Sequence, residues 1–99
     1  MIVECSLEGG VQLTEPFDFR GFKLLLRGGA TAEARSWQGI TFVDGGNALI
    51  PIHLVPTLSG CPDHESWNSA FAEMIAKAQE HGWIDTNANA IRAHVEREP

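Results

Sequence analysis

Trp67, Phe71, Met74, Ile75 and Ala78 fall at i, i+4, i+7, i+8 and i+11, which places them on one continuous apolar face of an α-helix. No other segment of the chain constrains its fold as tightly. Ser69, Glu73, Lys77 and Glu80 occupy the opposite face, with Glu73 and Lys77 in an i,i+4 pair. Pro62 suits the first helical turn, and Asp63 supplies a cap or a first-turn anion. At the far end His81 brings a cation-capable side chain into the last turn. Gly82 can take the left-handed position that closes a helix, with Trp83 folding back near Ala78. The spacing predicts one helix over about 63–81.

The rest of the chain reads as strands. Three pairs, Gly9-Gly10, Gly28-Gly29 and Gly45-Gly46, are flanked by apolar segments, as tight hairpin turns with positive φ require. Asp44 and Asn47 strengthen the third pair, since both tolerate turn conformations. Met1–Leu7 places Val3, Cys5 and Leu7 on one face, and Val11–Thr14 offers a short partner. Phe22, Leu24 and Leu26 oppose Lys23 and Arg27. Ala34–Val43 changes face near Gly39, the mark of a bulge. Ala48–Val55 has Ile50, Ile52 and Leu54 in phase. Its Pro51 lacks a ladder donor, which predicts an edge position or an irregularity there. Ile91, Ala93 and Val95 alternate with Arg92, His94 and Glu96 in a closing strand. The expected fold is α+β, one domain over residues 1–99. It has a four- to five-stranded antiparallel sheet, one helix packed on one face, and the order β-β-β-β-α-β.

One helix covers only part of such a sheet, and Leu25 and Trp37 fall opposite the best apolar rows. This imbalance predicts a homo-oligomer. Trp37, Leu25 and Arg35 are the candidate interface residues, because tryptophan anchors binding hot spots.

A formal charge of −6 disfavours contact with phosphate backbones, so nucleic acid is not an expected partner. No stretch approaches the ~18–20 apolar residues of a membrane span, and no membrane association is expected. Cys5 and Cys61 come without a secretory leader pattern, which argues against a disulfide framework and for a cytoplasmic setting.

The reactive side chains concentrate around Cys61, Asp63 and His64, with His53 one strand earlier. Zinc accepts such ligands, yet neither a Cys-x-x-Cys pair nor His-Glu-x-x-His is present, and no metal or cofactor is expected. Cys61 precedes a helix N-terminus, where a thiol can be activated, and His53 or His64 would be its base. The residue order matches no protease pattern, so these three are weak catalytic candidates. The leading expectation is a non-enzymatic interaction domain that self-associates and acts through a protein partner. The alternatives are a small enzyme or ligand-binding protein with a pocket between helix and sheet near His53, Cys61 and His64, and an acidic regulator of a basic partner.

Overall fold

The computed structural model describes residues 1–98. The architecture is α+β, with one main helix on a seven-stranded mixed sheet. The strands are β1 (Ile2–Ser6), β2 (Gly10–Thr14), β3 (Lys23–Arg27), β4 (Thr41–Phe42), β5 (Asn47–Pro51), β6 (Ile84–Asp85) and β7 (Ala90–Glu98). A 3₁₀ helix, Ile52–Thr57, and the α-helix α1, Glu65–Glu80, lie between β5 and β6. The sheet order is β2-β1-β3-β7-β5-β4, with β6 also paired to β7.

The expectation of four to five antiparallel strands is therefore corrected. β1 and β3 are parallel, as are β3 and β7. Gly9 and Gly10 do close a hairpin, with Gly10 at φ 69°. The connection over residues 15–22 then steps across β1, so β3 returns on its other edge. Gly28 and Gly29 both have positive φ, but they end β3 without starting a hairpin. The strand expected over Ala34–Val43 is reduced to Thr41–Phe42. Gly45-Gly46 turns by a different device: Asp44 Oδ1 accepts from the Gly46 amide at 2.7 Å and from Asn47 Nδ2 at 3.1 Å, and neither glycine needs positive φ.

Pro51 is not on an edge strand, since β5 lies between β7 and β4. The Ile52 amide donates to Asn89 on the β7 side, so strand alternation aims the Pro51 nitrogen the other way. There β4 has already stopped pairing, at Leu49, and no donor is missed. The chain then leaves the sheet: Ile52–Val55 is 3₁₀ helix, not strand.

Helix α1 begins two residues later than expected, at Glu65. Pro62 and Asp63 precede it, and His64 is the N-cap, its Nδ1 accepting from the Ser66 amide at 3.1 Å. At the other end Gly82 has φ 77°. The Trp83 amide donates to the Ala78 carbonyl and the Gly82 amide to Gln79, the paired bonds of a Schellman closure. Trp67 and Phe71 are buried and stacked, with centroids 4.9 Å apart, and the Trp67 indole N–H donates to the Pro16 carbonyl at 2.8 Å. That bond ties α1 to the connection between β2 and β3.

The core lies on one face. Val3, Cys5, Leu24, Leu26, Ala93, Val95, Ala48 and Ile50 share it by register and are nearly inaccessible. Trp67 and Phe71 of α1, Leu54 and Val55 of the 3₁₀ helix, and Ala30, Trp37 and Ile40 belong to the same cluster. One glycine is obligatory there. Gly60, at φ 91°, passes so close to β2 that a Cβ would lie 2.1 Å from the Leu13 carbonyl oxygen, where Ser59 accepts from the Leu13 amide at 2.8 Å.

The rear face differs from the expected apolar one. Leu25 sits there half-buried, but its row runs Gln12, Glu4, Leu25, Glu96. Lys23 pairs with Glu96 at 2.7 Å, and Arg27 with Glu4 at 3.2 Å and Glu98 at 3.5 Å. Among the described residues no helix is long and apolar enough to cross a membrane.

Candidate functional site

A gap in the strand pairing opens the principal cleft. One edge of β7 is shared by two strands that run away from each other. β6 is antiparallel to it over Ala90–Ile91, and the Arg92 amide still donates to the Trp83 carbonyl at 2.8 Å. β3 is parallel to it from His94 onward. The starts of both strands converge beside Ala93, and the chains that feed them must leave the sheet at that point.

Helix α1 crosses this gap without filling it. Between them lies a cleft of about 510 Å³, formed by Phe19–Phe22 from the β2–β3 connection, by one stripe of α1, by Trp83, and by Ile91 and Arg92 of β7. The volume is within the usual ~300–1,000 Å³ of small-molecule sites. Its lining divides by depth. Ala78 and Ile91 are buried, and Phe19, Phe22, Ala70 and Met74 are half-buried. Arg20, Glu73, Lys77, His81, Trp83 and Arg92 are exposed. The His81 and Trp83 rings stack with centroids 4.6 Å apart.

The charges are uneven. The chain has seven Lys and Arg side chains against thirteen Asp and Glu, yet the cleft rim carries Arg20 and Lys77 against Glu73, and Arg92 borders it from β7 with its side chain turned to the rear face, beside Asn47. None of these three cations forms an ion pair among the described residues. The i,i+4 partners Glu73 and Lys77 both line the cleft without pairing. Arg92 donates from Nε to Asn47 Oδ1 at 3.3 Å, and its charge also acts on the Asp44 carboxylate that Asn47 holds.

The residues singled out from the sequence lie elsewhere. His53 is exposed on the 3₁₀ helix, and His64 is spent on capping α1. Cys61 is half-buried, with Sγ 3.7 Å from the Pro62 carbonyl oxygen. Its thiol is pushed up by burial and by the neighbouring Asp63 carboxylate, the reverse of the activation a nucleophile needs. Burial raises Cys5 further, to about 12. Among the described residues no three His, Cys, Asp or Glu side chains are grouped to hold a metal.

Trp37 is in the core at 2% exposure, its indole N–H donating to the Thr31 carbonyl at 2.9 Å. Arg35 lies over its ring, 5.2 Å from the centroid, at the protein surface. Leu25 is on the opposite face of the sheet, among the rear charges. The structure does not bring the three into one exposed surface.

The cleft residues had a signal in the sequence. Ala70, Glu73, Met74, Lys77, Ala78 and His81 fall at i, i+3, i+4, i+7, i+8 and i+11, a second stripe that shares Met74 and Ala78 with the core stripe. It is half apolar and half charged, so it resembles an ordinary helix flank. Comparison of the chain with protein-family models, curated proteins and solved structures returned no significant match.

Proposed function

We propose that the protein binds a small organic molecule in the cleft between α1 and β7. The observation that carries this reading is an apolar floor at a break in the strand pairing, flanked by polar groups from the β2–β3 connection and from α1. Concave apolar sites with a few convergent polar groups are where proteins hold small ligands. The reading keeps a pocket between helix and sheet but moves it away from His53, Cys61 and His64. Binding without turnover fits the position of both thiols outside the lining and the upward shift of each. Titration with anilinonaphthalene sulfonate tests it. Fluorescence should rise and saturate at one site per chain. Ala70→Trp, which fills the cleft from the half-buried helix flank, should abolish the rise while leaving the far-UV circular dichroism intact. An undiminished signal in that variant would sink the proposal.

Self-association is a second reading, now supported by different residues. Val43 and Trp83 are 46% and 52% exposed and line a smaller hollow together with Leu49 and Ile84. A second copy of the chain would cover them. Light scattering should then give a mass that falls on dilution, and falls further for Val43→Asp. A constant monomer mass would end this reading.

A further inference from the structure

We infer that the ligand of the cleft carries an amide group, whose N–H pairs with a backbone carbonyl that the break in the sheet leaves without a donor, that of Arg92. The inference rests on the cleft reading above and adds the chemical class.

Two neighbouring elements account for the missing donor. Trp83 stands opposite Arg92 where β6 meets β7. In an antiparallel pair of this kind the two residues exchange both N–H···O bonds. Here one of the two is made: the Arg92 amide donates to the Trp83 carbonyl at 2.8 Å. The return bond is lost, because the Trp83 amide donates to the Ala78 carbonyl at 2.9 Å in the closure of α1. The other available donor is on the β3 side. The Lys23 amide donates to Met1, toward β1, so alternation turns the Phe22 amide toward β7. With Lys23 opposite His94, the next rung of the parallel ladder would join the Phe22 amide to the Arg92 carbonyl. That rung is not formed. Among the described residues no backbone amide donates to the Arg92 carbonyl, and the Phe22 amide has no backbone acceptor.

The open rung faces the cleft. The Arg92 side chain is turned to the rear beside Asn47, so Arg92 contributes its main chain to the lining. Phe22 lines the same cleft, and Ile91 and Ala93, on either side of Arg92, are buried. A ligand that displaces water from such an acceptor without supplying a donor loses affinity. An amide supplies both halves of the rung, an N–H for the Arg92 carbonyl and an oxygen for the Phe22 amide. A carboxylate or an ester offers acceptors alone. Phe19, Met74 and Ile91 provide apolar surface for the rest of the molecule.

Displacement of anilinonaphthalene sulfonate from the full chain provides the test, with 1-naphthamide and methyl 1-naphthoate as competitors. The two share an apolar body and differ in the N–H. The amide should displace the probe at a concentration about tenfold lower than the ester, the loss expected for an acceptor left unpaired. In carbon-13-labelled protein the Arg92 carbonyl signal should move further downfield with the amide than with the ester. Equal displacement by the two competitors, or an Arg92 signal that responds to both alike, overturns the inference. If Ala70→Trp still abolishes probe binding in that case, the cleft reading survives alone. If the probe binds Ala70→Trp unchanged, the cleft reading falls and the inference falls with it.

Discussion

Cations occupy two regions of this protein under different rules. On the rear of the sheet Lys23 and Arg27 alternate with Glu4, Glu96 and Glu98, and every one of these charges has an opposite partner within 3.5 Å. Beside the cleft Arg20 and Lys77 stand at an apolar floor with no such partner among the described residues, while Arg92, on the rear side of β7, donates to Asn47. The rear arrangement lets a sheet face water: strand pairs of opposite charge are complementary and need no outside group. The cleft arrangement is electrostatically incomplete. Cation number alone is thus a poor guide to a binding surface, and the neighbours that satisfy each cation carry the information.

The comparison can be broken first by dismantling the cleft wall. Trp67→Ala removes a fully buried ring that stacks on Phe71 and anchors α1 to Pro16, and such a truncation costs about 3–5 kcal/mol. Urea denaturation should register that loss, and probe binding should disappear with it. A smaller effect sharpens the contrast between the regions. Arg27→Gln strips the charge partner from Glu4, whose side chain is only 9% exposed, and should cost about 1–2 kcal/mol because a nearly buried carboxylate is left short of a donor. Arg20→Gln should stay within about 0.5 kcal/mol. Equal losses would show that the cleft cations are also structural.

The smallest expected effect is a pH dependence on the rear face. The hydrogen bond and charge of Lys23 hold the Glu96 carboxyl below its usual range. A folded value below the unfolded one stabilises the protein above the unfolded range, about pH 4.3. That contribution is lost as pH falls through the depressed folded value. The melting temperatures of the native chain and Glu96→Gln should therefore differ at neutral pH and converge in acid. A gap that persists at low pH would remove the pair as its cause.

Local features were legible in the sequence. The α1 stripe, its closure at Gly82, the Gly9-Gly10 hairpin and the alternation of β7 each depend on residues a few positions apart. The parallel pairings β1–β3 and β3–β7 were not legible, because alternation shows which face a residue takes and not which strand lies beside it. Trp37 reads as a surface anchor only if its indole N–H needs an outside acceptor. The Thr31 carbonyl, six positions earlier, supplies one inside the same loop. The cleft was the least legible feature, since its four contributing segments meet only through the strand order and the split edge of β7.

That strand order has a further consequence. β7 is the last element in the described chain, yet it stands between β3 on one side and β5 on the other. The block β2-β1-β3 and the block β5-β4 share no ladder bond in this order except through it. Each block can close its own hairpin as soon as it is made. The two remain unlinked as a sheet until a strand separated from both by the whole of α1 arrives between them. Assembly of this molecule is governed by its most distant contacts, the kind that makes folding slow for a chain of modest length.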